Sequence, residues 1–236
     1  MNRLSSSILV TVIIPFRDEF SELERFKANL FLKHFAIKVF FINDGSSDET
    51  EKSLRIWFPK SQYFKTEGVG MHQAISEYIQ EIDTPYFMIL PFDCIISDEL
   101  FSEIYQLCQK QVDRVIVCRK KYSQGEHQLY LFLQNVILLR FFRLAAWTNV
   151  FILPKSDIEN FKEVSKSLFL VDLELSRKLK GKTWSVTEKY VDVSYRRYIN
   201  GGALRQKCIN FFILASWYFR LLSAEKLLTI YKGAKR

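Results

Sequence analysis

The chain has 236 residues, 48% hydrophobic and 25% charged, with a formal net charge of +8. That length suits one large domain or a domain with an appendage, and the apolar share argues against disorder. Four cysteines without a Cys-x-x-Cys pair and only three histidines argue against a zinc site or disulfide framework and point to a reducing cytoplasm. The charge is uneven, with 13 basic and 17 acidic side chains in residues 1–119 but 21 and 9 in residues 120–236. A basic second half suggests an anionic partner: phosphates, a nucleic acid or an acidic membrane surface.

In chain order, the β-branched run ILVTVIIP (8–15) predicts a first strand. It lacks the small-residue cleavage site of a signal peptide. SELERFKANLFLKH follows with helical spacing, then a second strand, IKVFFIND (37–44). SDETEKSLRIWF predicts a helix opened by a Ser/Asp cap. A short strand SQYFKT, a helix GMHQAISEYIQEI and the apolar strand PYFMILP (85–91) come next. The capped helix SDELFSEIYQLCQK and the strand DRVIVCRKK end the first half. Strands alternating with helices predict a mainly parallel sheet covered on both faces. Ligands of such sheets sit beyond the C-terminal strand ends, and three of those ends are polar: Pro15 to Glu19, Asn43 to Ser47, and Asp93.

The second half differs. Residues 127–147 predict one long apolar-aromatic helix carrying Arg140 and Arg143, followed by a strand-like WTNVFILP. LFLVDLELSRKLKG predicts a helix closed by Gly181, and KTWSVTEKYVDVSYRRY an extended segment. CINFFILASWYFRLL (208–222) contains Arg220 and is shorter than the ~20 apolar residues a membrane span needs. It reads as interfacial or buried. We therefore expect a domain over 1–198 and an amphipathic helical extension over 199–236.

The strand end FFINDGSSDET carries more carboxylates than a turn needs. Asp44 and Glu19 at adjacent strand ends could accept from a base imide and from ribose hydroxyls, and Gly45 permits the sharp turn. Asp48 and Glu49 read more simply as helix starters. Asp93 ends an apolar strand, at the edge where ligands of such sheets sit; the alternative is that it caps the next helix.

VTVIIPFRDE, FFINDGSSDET, ILPFDC and FLVDLELSRKLKGK together resemble the family 2 glycosyltransferases. The order and spacing match over roughly the whole chain, and LPFDC, VDLELSRKL and SYRRY resemble the small selenodomain-associated transferase subgroup. The resemblance implies a GT-A fold, a Rossmann-like α/β sheet, and transfer of a sugar from a nucleoside-diphosphate sugar to an acceptor hydroxyl with inversion. It implies a nucleotide-sugar site from Pro15, Phe16, Arg17, Glu19, Asp44, Gly45 and Gly70. One of Arg196 and Arg197 would join it as a phosphate ligand, since neighbours on an extended chain face opposite ways. Asp93 would bind Mg²⁺ or Mn²⁺, and Asp172 would be the general base. Pro91 and Val171 stand where the family carries acidic residues, so a catalytically decayed nucleotide-binding or scaffold protein is the alternative. A nucleotidyltransferase would want a glycine-rich loop after the first strand, and PFRDEF has none; no recognised motif supports nucleic-acid binding. The basic half together with 208–222 suggests peripheral contact with the inner face of a membrane, and with it a lipid-linked acceptor. Internal packing of 208–222 is the other reading.

Overall fold

The computed structural model describes residues 8–110, 113–122, 128–167, 169–196 and 203–234. Eight strands form one sheet: β1 Val10–Phe16, β2 Lys38–Asp44, β3 Gln62–Thr66, β4 Tyr86–Ile89, β5 Cys94–Ile95, β6 Val115–Tyr122, β7 Phe151–Pro154 and β8 Trp184–Val193. Their order is β3-β2-β1-β4-β7-β6-β8-β5. The first four in that order run parallel, β7 is antiparallel to both β4 and β6, and β8 is parallel to β6. The reversal at β7 leaves β4 and β6 pointing the same way. The C-terminal ends of β1, β2, β4, β6 and β8 therefore share one edge, and Asp44, Asp93 and Lys120 lie at it or just beyond it.

The central strands are buried on both faces, as their unbroken apolar runs require. Alternation divides them: Val12, Ile14 and Phe41 pack into one core cluster, Ile13, Phe40 and Ile42 into another on the opposite face. A third, smaller cluster joins Ile213, Trp217 and Leu227 of the helices Ala203–Tyr218 and Ala224–Ala234 to Leu144 and Leu173. The inner face of segment 208–222 thus packs against Leu144 and Leu173. Its outer face leaves Phe211, Phe212 and Phe219 exposed. Among the described residues, no helix is long and apolar enough to cross a membrane.

Three expected elements come out differently. The helix over 21–34 is broken into Phe20–Glu22, Leu23–Phe26 and Phe31–His34. Buried Asn29 interrupts it, donating to the carbonyls of Phe26 and Cys94 (both 3.1 Å) and accepting from Ile96 N–H (2.8 Å). Its side chain competes with the helix and ties it to β5 and the residue after it. The long helix over 127–147 is a short α-helix, Gln128–Phe132, running into a π-helix, Leu133–Phe141. Beyond it the chain opens out to reach Ser176 and the carbonyls of Lys180 and Lys182, through Ala145 N–H and Arg143 respectively. Trp147–Asn149 is a 3₁₀ turn, and the strand begins only at Phe151. Arg197 and the 198/199 boundary lie outside the described residues.

Candidate active site

The first cluster stands at the ends of β1, β2 and β3. Pro15 and Phe16 are buried in β1, opposite Ile42 and Asn43. Asp44 is buried, and its carboxylate accepts from Thr66 Oγ1 (2.8 Å) and from Gly70 N–H (2.9 Å). Each oxygen keeps further lone-pair capacity, so the group can hold the loop and still accept from a ligand. Gly45 (φ +76°) lies so close to Gly68 that a Cβ would stand 3.1 Å from Gly68 N. The Arg17 guanidinium lies against Gly68 in turn, and Gly70 (φ +97°) opens the helix Met71–Tyr78. Asp18 accepts from Ser47 N–H (2.7 Å), which holds its carboxyl below the usual range. Asp48 accepts from Thr50 N–H and Phe20 N–H (both 3.0 Å), so it starts a helix and joins two strand ends.

Glu19 and Arg196 meet each other: Arg196 donates to Glu19 (2.6 Å) and pairs with Glu22 (3.4 Å). This ion pair links the loop after β1 to the chain after β8.

The second cluster lines a cavity of about 740 Å³ that includes Asp93, Lys120 and Asp172. Asp93 is 2% exposed, and its backbone carbonyl accepts from Arg25 (2.7 Å) and Ser194 N–H (2.9 Å), which fixes the loop beyond β4. Asp172 stands in the first turn of the helix Val171–Lys178. Its carboxylate accepts from Trp147 N–H (3.2 Å) and Leu173 N–H (2.9 Å). Burial on the cavity wall pushes its pKa above the ordinary carboxylate value, while those two donors and the Lys120 charge pull the other way. A carboxylate so placed is a stronger base than one in water.

Lys120 is the residue that sequence reasoning missed. It is 2% exposed, and its ammonium donates to Thr148 Oγ1 (2.9 Å). Its backbone is clamped on both sides by Asn135, which accepts from Lys120 N–H (3.0 Å) and donates to Lys120 C=O (2.8 Å). Burial lowers its pKa to about 8, against the opposing charges of Cys94, Asp172 and Asp93. Alternation along β6 carried the signal: Ile116, Cys118 and Lys120 share a face, and the first two are wholly buried.

The turn Trp147–Asn149 binds both groups, Asp172 through the Trp147 amide and Lys120 through Thr148. Two strained residues flank this arrangement, Val150 (φ 48°) and Leu170 (φ 58°). Such backbone costs of order 1–3 kcal/mol and persists where surrounding structure enforces it, commonly at functional sites. The His72 ring stacks on Trp147 at 5.1 Å, and burial lowers its pKa to about 4, keeping it neutral. His72 Nδ1, Trp147 Nε1 and Gln134 Oε1 are buried without a hydrogen-bond partner among the described residues, and all three side chains line the cavity.

The structure therefore gathers Asp93 and Asp172 at one cavity and places Arg17, Asp44, Gly45 and Gly70 at the neighbouring strand ends. Among the described residues no three His, Cys, Asp or Glu side chains converge as metal ligands. Asp93 offers a hard oxygen donor, which fits an ion held jointly with a diphosphate and not a metal centre supplied by protein alone.

No curated protein sequence matches the chain. Its fold is similar to that of S. aureus TarS 1-349 in complex with UDP-GlcNAc (TM-score 0.65, 15% identity), over 80% of this chain and 59% of that one. The chain thus spans less than two thirds of that relative. It is also similar to the mannosyltransferase PcManGT from Pyrobaculum calidifontis in complex with GDP-Man and Mn2+ (TM-score 0.62, 15% identity), over 95% of this chain and 69% of that one. The glycosyl transferase family 2 model matches residues 11–162. It covers both β1–β4 strand ends and Lys120, stops short of Asp172, and names no selenodomain-associated subgroup. With well over half of its length matched, the chain belongs to glycosyl transferase family 2.

Proposed function

We propose that the protein transfers a sugar from a nucleoside-diphosphate sugar to an acceptor hydroxyl with inversion. The observation that carries this reading is the cavity in which Asp172, held by two backbone donors, shares a wall with Asp93 and Lys120. The nucleoside lies along the cluster of Arg17, Asp44, Gly45 and Gly70, with the diphosphate directed toward Asp93. Asp172 takes the proton of the acceptor hydroxyl as its oxygen attacks the anomeric carbon. The bond from that carbon to the diphosphate breaks, and the diphosphate leaves with the electron pair. Lys120 adds a positive charge where negative charge develops. Mg²⁺ or Mn²⁺, held by Asp93 and the donor's phosphates, would neutralise the leaving group when bound. Arg196, now paired with Glu19 and Glu22, would have to exchange those carboxylates to reach a phosphate.

Peripheral contact with an anionic membrane surface is part of the same proposal. Phe211, Phe212 and Phe219 are exposed, with Arg220 and Lys226 close by in sequence and also exposed. Aromatic side chains beside cations suit a headgroup interface.

A thermal-shift screen of nucleotide sugars with and without Mg²⁺ or Mn²⁺ tests the reading, since a bound ligand raises stability by mass action. A metal-dependent shift with one donor is expected, and Asp93→Ala should remove the metal dependence. No shift with any nucleoside diphosphate or nucleotide sugar would overturn it; binding without turnover would favour the decayed alternative.

A further inference from the structure

The cavity has two kinds of wall. Near Asp93, Lys120 and Asp172 it is polar, and it holds the three buried atoms without partners, on His72, Gln134 and Trp147. The remainder is formed largely by Leu138, Phe169, Leu170, Ile213, Leu214 and Tyr231. These belong to the third core cluster, in which Ile213 is buried and the other five are only partly covered. The four aliphatic side chains of this wall, Leu138, Leu170, Ile213 and Leu214, offer a second sugar's hydroxyls no partner, and burying those hydroxyls without hydrogen bonds is costly. Half-covered apolar side chains instead gain when a chain of methylenes covers them.

The helix Ala203–Tyr218 shows the same division along its length. Arg205, Gln206 and Asn210 line the cavity from its first turns, with Gln206 Nε2 donating to Asn210 Oδ1 (2.9 Å). Ile213 and Leu214 line it from the next turn. The helix thus changes from polar to apolar within two turns, on the side that faces Asp172.

We propose that the acceptor is an amphipathic lipid, a hydroxyl-bearing head on a hydrocarbon chain. The head lies among His72, Gln134 and Trp147 with its hydroxyl toward Asp172. The chain lies against Leu138, Ile213, Leu214 and Tyr231. The proposal rests on the transferase reading, because it takes Asp172 as the base. It adds a binding site for the chain, built by residues of which Phe169 to Tyr231 lie beyond the family match.

The test titrates the whole protein with decyl β-glucoside below its micelle concentration and with methyl β-glucoside, following binding calorimetrically. UDP and GDP are titrated in parallel with Mn²⁺ present. The two glucosides share a head, so any difference belongs to the chain. The expected result is affinity for the decyl compound at least about tenfold above that for the methyl compound, since each buried methylene contributes. Leu214→Trp, which fills the apolar part, should lose that advantage while nucleotide binding stays as in the unchanged protein. Leu138→Trp serves the same purpose from the facing helix if Leu214→Trp does not fold. Equal affinity for the two glucosides overturns the proposal. So does a decyl advantage that both tryptophan variants retain, because the chain then binds elsewhere. Failure of UDP and GDP to bind would count against the transferase reading, whatever the glucosides do.

Discussion

The two halves of the site are built by different means. At the ends of β1, β2 and β3 the geometry is mostly backbone: parallel strands stop in register, Asp44 opposite Thr66, and Gly45 and Gly68 take positive φ where a Cβ would crowd its neighbours. Around Lys120 and Asp172 the geometry is made by packing. Asn135 of a π-helix, a 3₁₀ turn at Trp147–Asn149 and the start of the helix Val171–Lys178 meet there from distant parts of the chain. The first kind of site is written in a few adjacent residues. The second depends on residues brought together from distant parts of the chain.

Four measurements sharpen this contrast. The largest effect is expected in the packed half: Asp172→Asn should slow transfer by ~10²–10⁴-fold and leave donor binding nearly unchanged, because a general base acts in the transition state. Turnover and calorimetry on one preparation separate the two quantities. A variant that unfolds would instead make Asp172 a structural cap for the Trp147 amide.

In the backbone half, Asp44→Ala should weaken nucleotide binding by about 1.5–3 kcal/mol, the worth of a hydrogen bond to a charged group. It also leaves the Gly70 amide and the Thr66 hydroxyl without their acceptor. Unchanged affinity would show that the nucleoside does not lie there.

The glycines should divide the same way. Gly45→Ala forces a Cβ into a backbone with φ +76° and to 3.1 Å from Gly68 N, and should cost about 1–2 kcal/mol of stability. Gly181→Ala, in the second half, meets nothing within 4 Å and should leave stability unchanged or slightly higher. Denaturant midpoints of the two variants make the comparison, and equal losses would refute it.

The fourth measurement is a pH dependence. His72 has its pKa lowered from 6.5 to about 4 by burial, so the unfolded chain binds the proton more readily. Its contribution to stability is complete above pH 6.5 and is lost as pH falls toward 4. Other groups titrate over that range too, so the comparison is with His72→Phe, which keeps the stack on Trp147. The melting temperature of that variant should fall less steeply between pH 6.5 and 4. Parallel curves for the two proteins would place the His72 ring in contact with water.

What the sequence determined by itself was everything carried by local pattern. The β-branched run 8–15 pointed to β1 and the apolar runs to β2 and β4, the acidic residues at the end of β2 and beyond β4 singled out Asp44 and Asp93, and the family motifs pointed to Asp172. Period-2 alternation also contained Lys120, yet a lysine late in a strand reads as a solvated end until the covering helix is known. Only the tertiary structure decided that Asn29 breaks the first helix, since its partners Cys94 and Ile96 lie far along the chain. It also turned residues 133–141 into a π-helix that reaches Lys120 and brought Leu173 and Ile213 into one small core beside the cavity. The physical reason is range: propensity and periodicity act over a few residues. A polar side chain that breaks a helix, or an apolar one that lines a cavity, does so for partners many tens of residues away.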